Sequence, residues 1–349
     1  MTKANKRIIG IDLVKCIACI GVVLLHVSMP VFYNNDVQIN TNSVLISKIL
    51  YYFGTGAVPL FFMANGFFVL NKSNISWRYI WKKIFLIMIP IISWNLLLYI
   101  GYLLKGDYGK NLVTIIVDSL LQRGFFFQFW FLGSLLILLL AAFFLNNLLK
   151  RSLKLYVLIL ILLISISVSI DIYNHFSGVL PLQTNVIQTF RLWTWLSDYM
   201  LGGLLGYLYI QNNKFIKILH RRKSIGIWLL FFSILFVSYS ILNSRLLRTP
   251  FAEYNYDNLI FIIWVILLFV SCLMINKFSR MNTTIIEVIS KYSFGIYIVH
   301  VPILKVFCHF MPINSLFTNV LGILFVFVGS LILVYLFSKI PLVRKLVIF

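Results

Sequence analysis

The sequence predicts an all-α fold, a polytopic membrane bundle of about ten transmembrane helices with both termini cytoplasmic. Three observations predict it. Of 349 residues, 61% are hydrophobic and only 11% charged, more apolar surface than a single soluble core can hide. Apolar runs of roughly 20 residues, enough to span a bilayer at about 1.5 Å per residue, recur along the chain with short polar breaks. The basic residues concentrate in alternate breaks.

The expected spans cover residues 8–32, 45–70, 84–104, 128–149, 155–173, 192–210, 224–243, 259–275, 293–311 and 317–338. The whole chain, residues 1–349, reads as one membrane domain. A net charge of +21 would suggest nucleic acid in a soluble protein, but its placement argues instead for no nucleic-acid partner and for the lipid bilayer. With the N-terminus inside, 21 of the 30 basic residues fall on inner segments, including Arg7, Lys72, Lys150, Arg151 and the run at 214–223. The opposite side takes most acids, among them Asp107, Asp118, Asp171, Glu253 and Asp257. The first span follows Lys3, Lys6 and Arg7 but is no cleaved signal, because Asp12 and Lys15 interrupt its apolar region and no small-residue cleavage site follows. Cys16 and Cys19 have C-x-x-C spacing without a second cluster, so no metal is expected.

Ionisable groups at membrane depth cost roughly 2.5–3.5 kcal/mol on insertion scales, so each one needs an explanation. In the first span Asp12, Lys15, Cys19, Val23 and His26 fall within an arc of about 80° at 100° per residue. Asp12 and Lys15 lie near the inner interface, and His26 lies roughly 16 Å farther along the axis. The plainer reading is an Asp12–Lys15 ion pair at a helix end with one interhelical bond from His26. It gives no reason for His26 to share the stripe, and histidine is the side chain suited to passing protons near neutral pH.

The ninth span contributes Tyr297 and His300 at i,i+3, with Pro302 freeing a carbonyl near Ile298. The second span holds Gly54, Gly56, Pro59, Asn65 and Gly66, which allow close helix approach and a kink at Pro59. The inner loop after it carries Arg78, Lys82 and Lys83, a polybasic patch that touches anionic lipid or suits the phosphates of a cytoplasmic cofactor. On the outer side Asp171 and His175 are i,i+4, and Arg123 precedes the aromatic run Phe125-Phe126-Phe127-Gln128-Phe129-Trp130. Such runs are mostly interfacial belt, but an acid, an arginine and aromatic faces also bind sugars.

Four segments in order resemble the acyltransferase 3 family of bacterial integral-membrane O-acyltransferases. They are Ile11-Asp12-Leu13-Val14-Lys15 running to His26; Val58-Pro59-Leu60-Phe61-Phe62-Met63-Ala64-Asn65-Gly66; Phe129-Trp130-Phe131-Leu132; and Gly295-Ile296-Tyr297-Ile298-Val299-His300-Val301-Pro302. Lys15 stands where the family has an arginine, keeping the charge and losing the planar fork, and Asn65 stands where it has a serine.

The resemblance implies a multi-pass protein of the bacterial cytoplasmic membrane. It further implies an acyl-CoA donor, acetyl-CoA above all, on the cytoplasmic face, and a carbohydrate hydroxyl acceptor of the envelope. It makes His26 the catalytic general base or acyl carrier, assisted by Asp12 and Lys15. Lys15, Arg78, Lys82 and Lys83 are then expected to hold the CoA phosphates. Asn65, Trp130, Tyr297, His300, Asp171, His175 and Arg123 are expected around the cavity or acceptor. Envelope polysaccharide biosynthesis proteins are the expected partners, and the membrane domain would act alone or with one of them. The competing class is a transporter or flippase of an anionic or lipid-linked substrate, which the same stripe would serve. It lacks a visible internal repeat.

Overall fold

The computed structural model describes residues 7–32, 41–177, 181–211, 224–247, 249, 251–275 and 279–347. Lys3, Lys6 and the basic run at 214–223 lie outside the described residues. Among the described residues every regular element is helical: α1 (Ile9–Ser28), α2 (Thr41–Thr55), α3 (Ala57–Val69), α4 (Trp77–Leu104), α5 (Leu112–Leu120), α6 (Trp130–Arg151), α7 (Leu153–Phe176), α8 (Leu192–Gln211), α9 (Ser224–Leu246), α10 (Leu259–Met274), α11 (Arg280–Phe310), α12 (Leu316–Lys339) and the short α13 (Pro341–Arg344).

Among the described residues eight segments are long and apolar enough to cross a bilayer. The other two expected spans are α8, which carries the buried Thr194, Ser197 and Asp198, and α10, at 16 residues the shorter. The bundle has a centre and a rim. In their most apolar windows α1 is 56% buried and α6 67%, against 22% for each of α4, α7, α9 and α12. The rim helices turn Phe85, Leu97, Leu158, Leu162, Leu230, Ile234, Leu324 and Ile332 outward, the apolar surface that hydrocarbon requires.

The second expected span is two helices, broken at Gly56 rather than bent at Pro59. Pro59 has no N–H to offer the Thr55 carbonyl four residues back, so the ladder fails there. A Cβ on Gly56 would lie 2.9 Å from the ring of Trp264, so the break also depends on the missing side chain. The ninth expected span extends backward into the 31-residue α11, whose amphipathic first turns carry Arg280, Glu287 and Lys291. Pro302 sits inside α11, and Gln128 Nε2 donates to the Ile298 carbonyl at 3.3 Å, so the freed acceptor finds a partner. The short α5 falls in what the sequence presents as outer loop. Asn111 caps it, accepting from Val113 N at 2.8 Å.

The closest backbone approach is between α3 and α8. A Cβ built on Gly66 would stand 2.0 Å from the Tyr199 carbonyl oxygen, and one on Gly202 would stand 2.0 Å from that of Met63. Neither carbonyl can swing away without breaking its own helix. Replacing Gly202 with Val forces the helices apart, and overpacking of this kind typically costs 1–3 kcal/mol, often more against backbone. Gly202→Val is expected to lower the thermal midpoint of the purified protein in detergent by several degrees or more. An unchanged midpoint would show that the α3–α8 crossing is looser than this geometry.

Candidate active site

α1 carries most of the site. Asp12, only 7% exposed, accepts a hydrogen bond from Arg7 Nε at 2.5 Å on Oδ2 and one from Ser290 Oγ at 2.5 Å on Oδ1. Arg7 reaches on to α11, with Nη1 3.5 Å from Glu287 Oε2 and Nη2 donating to the Glu287 carbonyl at 3.2 Å. Charge-assisted bonds of this kind satisfy a carboxylate at the edge of hydrocarbon. The hydrogen bond it donates to Asp12 also pushes the Arg7 guanidinium above its already high value.

The expected Asp12–Lys15 pairing is therefore corrected. Arg7 precedes the first helical turn and can fold back on Asp12, whereas Lys15, on the same face of α1, turns toward α3 with Nζ 5.5 Å from the ring centre of Phe68. Among the described residues Lys15 joins no ion pair. It lines a cavity of about 490 Å³ walled by α1, α3, α4, α6 and α11. Four cations, Arg7, Lys15, Lys83 and Lys291, face this space with a single carboxylate, Asp12. Asn65 lines it too, and its buried Oδ1 has no hydrogen-bond partner among the described residues, which leaves an acceptor for an N–H or O–H of a guest.

The apolar end of the cavity is an aromatic wall. Phe131 and Tyr297 lie 5.3 Å apart by ring centres, with Phe61 6.0 Å and 6.5 Å from them. Tyr297 is pinned across the space, its hydroxyl donating to the Gln128 carbonyl. Behind this wall the His300 ring lies 6.0 Å from that of Tyr297, and the His26 ring lies 5.1 Å from that of His300. His300 is fully buried, with Nδ1 2.6 Å from the Tyr297 carbonyl oxygen. A carbonyl only accepts, so Nδ1 holds the proton and Nε2 the lone pair. His26, in the last turn of α1, is half-buried and meets Phe127 edge to face at 5.4 Å. The stripe on α1 thus runs from a cationic cavity to a pair of histidines, with Tyr297 between them.

Other residues singled out by sequence fall elsewhere. Arg78 and Lys82 are exposed on α4 and outside the cavity; of that basic run only Lys83 lines it. Trp130 is buried against Trp195 at 5.2 Å and serves packing. Asp171, His175 and Arg123 do not form one outer site. Asp171 accepts from Asn258 Nδ2 at 2.8 Å and from the Tyr239 hydroxyl at 3.2 Å, while His175 Nδ1 bonds the Asp171 carbonyl at 2.7 Å. That network braces α7 against α9 and the start of α10, and Arg123 lies exposed on the stretch after α5.

Several functional-looking groups carry no local sequence signal. Arg7, Ser290 and Lys291 read as flank residues until α1 and α11 are paired. A second buried network joins Arg191 to Glu253 at 3.0 Å, and Gln183 and Thr194 to Asp257 at 2.8 and 2.6 Å. Its only trace is the density of amide and hydroxyl residues around those positions.

The chain matches the model of the acyltransferase 3 family, described as an acyltransferase domain, over residues 8–339, and it belongs to that family. It is a multi-pass membrane protein of an acyltransferase family. No curated protein and no solved structure matches it significantly, so roles within the site rest on its own geometry.

Gln128 joins the parts of this site, accepting from Tyr297 and donating to Ile298. Replacing it with Leu strands the Ile298 carbonyl, a loss of about 1–3 kcal/mol for a buried acceptor. Gln128→Leu is expected to lower the thermal midpoint and to speed labelling of the buried Cys19 by a thiol reagent. Equal labelling and an equal midpoint would remove Gln128 from the wall.

Proposed function

We propose that this protein is an O-acyltransferase of the bacterial cytoplasmic membrane that moves an acyl group, acetyl above all, from cytoplasmic acyl-CoA to a hydroxyl of an envelope polysaccharide sugar. The observation that carries the reading is the cationic cavity whose aromatic end, at Tyr297, lies against the His300–His26 pair. Its volume of about 490 Å³ falls in the range of small-molecule sites, roughly 300–1,000 Å³. Lys15, Lys83, Lys291 and Arg7 suit the phosphates of CoA, a polyanion, in a setting where low dielectric strengthens the attraction. The narrow aromatic end at Phe61, Phe131 and Tyr297 favours a short acyl group. The basic end of the bundle, by the positive-inside bias, faces the cytoplasm.

In this reading His26 acts from beyond Tyr297, on the acceptor side. It takes the proton of the acceptor hydroxyl, the oxygen bonds to the acyl carbon, the carbon–sulfur bond breaks, and the proton passes from His26 to the CoA thiolate. Asp12 holds Arg7 and α11, so its role is to set the position of Lys15 and the cavity mouth rather than to touch the acyl group. Envelope polysaccharide biosynthesis proteins would present the acceptor.

Two measurements test the proposal. In proteoliposomes supplied with labelled acetyl-CoA and envelope glycan, His26→Ala is expected to lower label transfer by at least about 10²-fold, the usual worth of a positioned base, while the protein stays folded in the membrane. Retained transfer would remove His26 from the chemistry, and movement of substrate without thioester cleavage would point to a transporter. Separately, Lys15→Met with Lys83→Met is expected to raise the KM for acetyl-CoA about tenfold or more, with the wild-type KM rising as salt is added. A KM indifferent to both changes would place the donor elsewhere.

A further inference from the structure

His300 is fully buried, and its Nε2 has no hydrogen-bond partner among the described residues. Buried nitrogens without partners are rare because the unmade bond is costly, and structures keep them chiefly where the group has work to do. Its Nδ1–H is committed to the Tyr297 carbonyl, so the ring cannot exchange tautomers without losing that bond. The carbonyl itself is fixed, because Gln128 ties both the Tyr297 hydroxyl and the neighbouring Ile298 carbonyl.

The ring of His26 lies beside that of His300. The two ring centres are 5.1 Å apart with the planes tilted by 36°. An N–H···N bond of roughly 2.9 Å between two imidazoles, added to about 1.1 Å from each ring centre to its nitrogen, spans about 5 Å. The bond is not made in this structure, yet the separation is right for it. The terminal torsion that turns the half-buried His26 ring is broad, so the ring can change its facing at little cost.

We propose that His300 is a positioning residue for His26, its Nε2 accepting the ring N–H of His26 and thereby leaving the other His26 nitrogen unprotonated toward the acceptor hydroxyl. The proposal rests on the reading of His26 as the base. During transfer the hydroxyl proton goes to that free nitrogen and then to the departing thiolate. His300 keeps its own Nδ1 proton throughout and supplies a hydrogen bond that strengthens while His26 is an imidazolium. An orienting partner of this kind resembles the second partners that fix metal-bound or catalytic histidines.

Diethyl pyrocarbonate tests this without any knowledge of the acceptor, since it carbethoxylates only an unprotonated imidazole nitrogen. The full chain in lipid nanodiscs is treated, and each histidine is followed by mass spectrometry, with the exposed His309 as reference. His300→Phe, a ring without a lone pair, is expected to slow carbethoxylation of His26 relative to His309 about tenfold, the scale on which loss of an orienting partner is felt. His300→Gln, whose amide oxygen can accept the same N–H, is expected to recover most of the rate. Should the Phe variant not fold, His300→Met replaces it. Equal His26 reactivity in wild type and in the Phe or Met variant would overturn the proposal, and so would a loss that His300→Gln fails to recover, which would mark simple packing. CoA release from acetyl-CoA in the same preparations reports separately on acyl transfer. If wild type supplied with envelope glycan releases no CoA while His300 still controls His26 carbethoxylation, the function reading falls and the histidine coupling stands.

Discussion

The pairing of α1 with α11 is the constraint on which the rest of the molecule depends. A carboxylate near the hydrocarbon edge must be satisfied, and Asp12 is satisfied by Arg7 on its own flank and Ser290 on α11. That tie sets the rotation of both helices, because a slip of one residue turns a helical face by about 100°. At the other end the same rotation brings His26 beside His300. The charged end and the aromatic end of the stripe are two consequences of one register.

Between them the bundle separates two environments. The cavity is polar, cationic and walled by five helices, whereas the histidines sit among Phe127, Tyr297 and buried backbone. An anion gains most from fixed cations where water is scarce, and an imidazole pair is best shielded from those cations by an apolar ring. Housing both in one cavity would compromise each. Tyr297, held by its hydroxyl, keeps them apart by a single ring.

Much of this is legible in the amino-acid sequence. The all-helical bundle follows from apolar runs of spanning length, and the shared face of Asp12, Lys15 and His26 follows from helical periodicity alone. The need of the Ile298 carbonyl for an outside partner follows from Pro302, and the structure supplies Gln128. What could not be read is whatever depends on which helices are neighbours. Spacing made Lys15 the natural partner of Asp12, but Arg7 lies just outside the helix, where no periodic argument reaches. Asp171 and His175 suggested a binding site because Tyr239 and Asn258, which occupy them, come from other helices. Pro59 points to a bend at its own position, but the break falls three residues earlier at Gly56, since the proline removes a donor whose loss is felt one turn back.

The position of Gln128 has a mechanical corollary. This one side chain and its backbone carbonyl grip two successive residues of α11, and it belongs to the aromatic stretch at the end of the bundle away from Arg7 and Lys83. Any displacement of that stretch is therefore handed on to Tyr297 and Ile298, and through Tyr297 to the wall of the cavity.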